Sequence, residues 1–194
     1  VLLYAGARIG EASGLERRHR RRRRPLDELA IEHQWRDRDG ELGPTKTRRS
    51  RLVPVHPDLA QVLAGGDAWF RSTFGRDPRP EDPLCPFPRV HLVGRRRVVE
   101  PIRWGEATSL RHLRSALELL GVPAPAMGPY RQHGLRHTFA SSLDRAGAHE
   151  RWIEEMTHAP RRARDRGRGA ASSVRVYTHS AWTSLCSTIR LLSY

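Results

Sequence analysis

The chain has 194 residues, 38% of them hydrophobic and 29% charged, which suits one domain with an economical core and leaves no room for two domains of ordinary size. Its 35 Lys+Arg against 21 Asp+Glu give a formal charge of +14 and an isoelectric point near 11.4, favouring a polyanionic partner, nucleic acid by default, although an Arg-favouring GC-rich genome accounts for part of the excess. Two distant cysteines, Cys85 and Cys186, exclude a disulfide framework and a zinc knuckle, and there is neither an export signal nor an apolar run of about 20 residues, so a cytoplasmic protein without a membrane span is expected.

Residues 1–15 begin inside an apolar helical pattern without an initiating Met, as expected for the downstream part of a longer protein. The basic run from Arg17 to Arg24 is expected not to pack, forming a solvated loop or, less favoured, an arm that tracks phosphates. Leu29 to Trp35 reads as a strand, Asp37 to Gly40 as a turn and Arg51 to Val55 as another strand, making a small sheet with Lys46 in a connecting turn. Pro57 opens a helix that continues through Leu59, Val62 and Leu63 towards Phe70 and Phe74. Residues 75–101, rich in Pro and Arg, predict an irregular surface insertion with at most a short strand. Leu110, Leu113, Leu117 and Leu120 form an apolar stripe that stops at Gly121, with Arg111, His112 and Arg114 on the opposite face. A Pro-rich linker over 123–130 precedes a helix starting near His133, and Trp182, Leu185, Ile189 and Leu192 mark a final amphipathic piece.

The chemistry concentrates in His133-Gly134-Leu135-Arg136-His137-Thr138-Phe139-Ala140 and its apolar continuation to Leu143. At 100° per residue Leu135, Phe139 and Leu143 fall on one side, so packing is expected to aim His133, Arg136 and His137 outward together. Such a trio suits a phosphate, because Arg offers a planar fork to two oxygens and His a hydrogen bond or proton transfer. Lys46 stands out because every other basic residue is Arg. A lysine can surrender its proton where Arg cannot, which makes Lys46 a natural general acid towards a leaving oxygen.

The segment from His133 resembles the His-x-x-Arg box of the tyrosine recombinases, the phage-integrase family. Three further boxes follow the family's order: Tyr4-Ala5-Gly6-Ala7-Arg8-Ile9-Gly10-Glu11-Ala12 is similar to the first arginine box, Gly43-Pro44-Thr45-Lys46-Thr47-Arg48-Arg49-Ser50-Arg51 to the lysine hairpin, and Arg175-Val176-Tyr177-Thr178-His179 to the tyrosine box. Met156-Thr157-His158 stands where relatives show Leu-Gly-His, and residues 160–173 insert a run of Arg, Gly and Ala where relatives have a short loop.

The resemblance implies an α+β, mainly α-helical catalytic domain over 1–194 with a small antiparallel β-sheet, lacking an N-terminal core-binding domain. It implies a site-specific recombinase or integrase of a mobile element that cuts and rejoins double-stranded DNA through a 3′-phosphotyrosyl intermediate. In it Tyr177 is the nucleophile, Arg8 and Arg136 clamp the phosphate, His158 bonds it, His133 is the base and Lys46 the acid, with neither metal nor cofactor. It further implies a homotetramer on two DNA sites, accessory directionality factors, and a C-terminal piece docked on a neighbouring protomer. The alternatives are a remnant that binds DNA without cutting it, a type IB topoisomerase-like enzyme, and a basic structural nucleic-acid protein.

Overall fold

The structure is a computed structural model that describes residues 1–46, 48–123, 132–157 and 179–193. The architecture is α+β, mainly helical with small antiparallel sheets.

The apolar N-terminal pattern forms two short helices rather than one, α1 (Leu2–Ala5) and α2 (Ile9–Gly14). The break falls at Gly6, whose φ of 54° ends α1 in the left-handed region. A Cβ at Gly6 would lie 2.5 Å from Cδ1 of Phe139, so glycine is required both for the turn and for the approach of a later helix. Helix α2 lies equally close to the chain beyond it, since a Cβ at Gly14 would come within 2.9 Å of Gln34 Cα.

The basic run packs, contrary to expectation. It forms a 3₁₀ turn (Arg17–His19) and strand β1 (Arg20–Arg21), with its cations neutralised by acids from other segments. Arg17 pairs with Asp67 and stacks over Phe70, Arg20 pairs with Asp27 at 2.9 Å, Arg21 with Glu32 at 3.0 Å, and Arg23 with Glu28 at 2.8 Å. Arg22 and Arg24 remain exposed.

The strand expected from Leu29 to Trp35 is two, β2 (Glu28–Ile31) and β3 (His33–Arg36), which interrupt at Glu32 and enter different sheets. Strand β3 pairs antiparallel with β4 (Glu41–Pro44) across the expected turn at Gly40. Strand β2 sits between β1 and β5 (Arg51–Pro54), in register Leu29↔Val53 and Ala30↔Leu52. Lys46 lies exposed in the β4–β5 connection, as expected. Helix α3 (Pro57–Phe74) begins with Pro57 behind a His56 cap and stops at Gly75.

Residues 75–101 are not an irregular insertion. They contain strand β6 (Phe87–Val93) and most of β7 (Arg96–Ile102), seven residues each, joined at Gly94-Arg95. The hairpin escaped detection because it stands clear of the core, leaving Leu92 71% exposed, so burial imposes no alternating pattern. Helix α4 (Glu106–Leu119) forms where expected, capped by the Asp37 carboxylate accepting the Glu106 N–H at 3.0 Å, but its leucine stripe is only partly covered and Leu120 is 76% exposed.

Helices α5 (Gln132–Arg145), α6 (Glu150–Thr157) and α7 (His179–Ile189) complete the core. Phe139, Leu143, Met156, Trp182, Leu185 and Ile189 join Leu29, Ile31, Leu52 and Val53 in one buried cluster. The apolar face of the C-terminal piece, with Leu192, packs into the core of this chain. Residues 124–130 of the expected linker and the insert at 160–173 lie outside the described residues.

Candidate active site

The site is organised around Glu11, which is fully buried at the start of α2. Its carboxylate accepts the Arg8 backbone N–H at 2.8 Å, closing the first turn of the helix, and the Arg8 Nη1 donor at 3.1 Å. From β5, Arg51 donates both Nη1 (3.0 Å) and Nη2 (2.7 Å) to the two carboxylate oxygens, a bidentate pair in which both side chains are buried. Arg51 spends its Nε on the Met156 carbonyl at 2.7 Å, tying β5 to the end of α6. A third cation, Arg136 of α5, brings Nη1 to 3.9 Å from Glu11 Oε2.

Arg136 does not project outward with its neighbours. It is buried on the same stripe as Gln132, Phe139 and Leu143, while His133 and His137 are exposed. The helical phase permits this because Arg136, Phe139 and Leu143 follow i, i+3, i+7 spacing, and Leu135 is only partly buried. A buried guanidinium must have its donors satisfied, and Arg136 donates Nη1 to the Gly6 carbonyl and Nη2 to the Thr157 carbonyl. Those acceptors belong to the break between α1 and α2 and to the end of α6, so one side chain ties three segments together.

The electrostatics are lopsided, because three arginines share Glu11 as their common carboxylate. Burial, then Arg51 and Arg8, pull the Arg136 guanidinium down to about 10, with Glu11 opposing, so it stays charged at neutral pH. Burial would raise the Glu11 carboxyl, but Arg51's hydrogen bonds and charge, assisted by Arg8, hold it at about 2. His133 is pushed below the usual histidine value by partial desolvation and by His137, Arg136 and Arg8. Its ring meets that of His137 edge to face at 4.6 Å. The cluster opens to solvent at Arg8, whose side chain is 26% exposed. A surplus of fixed cations at an opening, beside a neutral imidazole, suits an anion that undergoes proton transfer.

Of the residues picked out from sequence, Arg8, His133 and Arg136 come together here. Lys46 is exposed in its turn, where the Thr45 hydroxyl accepts the Arg49 N–H at 3.0 Å and donates to the Arg49 carbonyl at 2.7 Å. His158 and Tyr177 lie outside the described residues. Arg51, which closes the lysine segment and carries no site role in the sequence reading, joins this cluster; its place at the head of the apolar run Leu52-Val53-Pro54-Val55 is the signal that it is drawn into the core.

Among the described residues one group approaches a metal-ligand arrangement, His19, Glu32 and His33, with potential ligand atoms within 4.8 Å of one another. The His19 Nδ1 accepts the Glu16 N–H at 2.9 Å, which leaves the neutral ring's proton on Nε2, and Arg21 bonds Glu32 at 3.0 Å. The His33 Nδ1 atom, buried beside them, makes no hydrogen bond.

No known protein-family pattern matches the chain, and no curated protein does. Its fold is shared with solved structures of the Tn1549 transposon integrase. One, in complex with a circular intermediate DNA, superposes with a TM-score of 0.53 at 18% identity over 80% of this chain and 48% of that one. A second, in complex with transposon right end DNA, gives the same TM-score, identity and coverage of 0.53, 18%, 80% and 48%. A third, with another circular intermediate DNA, gives 0.52 at 17% identity over 81% and 47%. The chain spans about half the length of these integrase chains, and at this identity the likeness is one of fold. Among the described residues no helix is long and apolar enough to cross a membrane.

Proposed function

We propose that this chain is the catalytic domain of a tyrosine recombinase that cuts and rejoins double-stranded DNA through a 3′-phosphotyrosyl intermediate. The observation that carries the reading is the gathering of Arg8 and Arg136 around buried Glu11 beside His133, from two distant segments that resemble family boxes. The integrase-like fold and the charge of +14 agree with a DNA partner.

Attack on a phosphodiester builds negative charge on the non-bridging oxygens of a five-coordinate phosphorus, and preplaced cations lower that barrier without reorganising. Arg8 retains donors beyond the one given to Glu11, and Arg136 spends two of its five N–H groups on carbonyls, so both can bond those oxygens. Tyr177 Oη bonds to phosphorus as its proton passes to neutral His133. The bond to the 5′ oxygen breaks, and the Lys46 ammonium protonates that oxygen. His158 hydrogen-bonds the phosphate. Attack by a second strand's 5′-hydroxyl reverses the step, and because the phosphotyrosyl bond conserves the energy of the original linkage, the chemistry calls for neither nucleotide nor metal. The reading extends to a cytoplasmic homotetramer on two DNA sites, with an N-terminal core-binding domain and accessory factors that set direction.

The test uses a library of randomised duplexes, each nicked so that a short fragment diffuses away after cleavage and traps the intermediate. Wild-type protein is expected to become covalently attached to a subset of sequences, Tyr177→Phe to none, and Arg8→Ala or Arg136→Ala to react about 100-fold more slowly or worse. Tight DNA binding without any covalent product would identify a remnant that only binds. Relaxation of supercoiled plasmid without sequence preference would identify a topoisomerase.

A further inference from the structure

Every guanidinium nitrogen of Arg51 is hydrogen-bonded within the fold. Its three nitrogens make three hydrogen bonds of 2.7 to 3.0 Å, two to Glu11 and one to the Met156 carbonyl, and the side chain is 2% exposed. It therefore has little reach towards a substrate. Glu11, which it grips, sets both the backbone amide and the guanidinium of Arg8. Met156, which it tethers, precedes Thr157, whose carbonyl receives Arg136. Arg51 thus touches the supports of both phosphate-clamping arginines while contributing a third positive charge behind them.

We infer that Arg51 is a positioning residue: its bidentate bond to Glu11 and its bond to the Met156 carbonyl set the orientation of Arg8 and Arg136 for the phosphate. The inference rests on the recombinase reading given above. The geometry needs arginine specifically, because a planar fork can hold both carboxylate oxygens while Nε reaches a third acceptor at a fixed angle, and a lysine ammonium cannot do so. Misplacement of a clamp by about 1 Å can cost roughly 100-fold in rate.

The experiment compares full-chain wild type, Arg51→Lys and the double variant Glu11→Met with Arg51→Met. The double variant removes the buried ion pair as a unit, a change that folded proteins often tolerate, and so covers the case in which Arg51→Lys does not fold. Folding is checked by circular dichroism, and single-turnover covalent attachment is measured at saturating nicked DNA. DNA affinity within about threefold of wild type with attachment slowed roughly 100-fold per folded molecule is the expected result. A purely structural role would lower the folded fraction while leaving the rate of folded, bound protein unchanged, and a rate within threefold in a folded variant would overturn the inference. If wild type itself forms no covalent product, the recombinase reading fails, and Arg51 is judged by side-chain Nε–H exchange of Arg8 and Arg136 in nuclear magnetic resonance. Exchange is expected to quicken in Arg51→Lys, and unchanged exchange would dismiss the positioning role.

Discussion

Glu11 is a single acid serving three bases. With its side chain fully buried, the carboxylate is acceptable only because Arg51 and Arg8 supply charge and hydrogen bonds that outweigh desolvation. Its carboxyl titrates at about 2 in the folded chain against an ordinary 4.5. A group so depressed binds protons less readily when folded than when unfolded, so its stabilisation is complete above pH 4.5 and drains away as pH falls towards 2. Thermal melts between neutral pH and pH 2 are expected to show the midpoint falling through that window. Glu11→Gln should remove this component and cost about 3–5 kcal/mol at neutral pH, since it strands buried cations. A melting curve of the Gln variant with the wild-type acid limb would contradict the assignment.

At the level of elements, the site depends on how tightly α5 approaches the α1–α2 break. Gly6 lets Phe139 close upon the chain, and its carbonyl receives Arg136, so one residue serves packing and orientation together. Gly6→Ala introduces a methyl 2.5 Å from the Phe139 ring at a φ of 54°. The left-handed strain and the overpacking together are expected to cost about 3 kcal/mol in urea denaturation and to slow covalent attachment in the fraction that stays folded. The β6–β7 hairpin and α4 show the opposite regime. Both form regular backbone with little burial, as Leu92 and Leu120 demonstrate; α4 still carries a leucine stripe, whereas the hairpin had no core to alternate against.

For the molecule as a whole, α7 closes the core from the far end of the chain. Trp182 is fully buried, under Arg23 at 4.3 Å from its ring, and Leu185 and Ile189 continue the same face. Trp182→Ala is expected to destabilise by about 3–5 kcal/mol through the cavity it leaves. Because the contact lies within one chain, the denaturation midpoint of the variant should not move with protein concentration, whereas a tail held by a neighbour would make it do so.

Helices α3 and α5 and the turn at Gly40 could be read from periodicity and turn chemistry, because each is encoded by residues close together in the chain, whereas the α+β class and the association of Arg8 with the distant His133 and Arg136 came through motif resemblance. Tertiary structure alone decided where charges found partners. Asp67, Asp27, Glu28 and Glu32 quench the basic run, Arg136 turns inward to two carbonyls, and Arg51 finds Glu11 from forty positions away. A charge looks solvated in sequence because water is its default partner; only the folded chain reveals which acids and carbonyls replace that water.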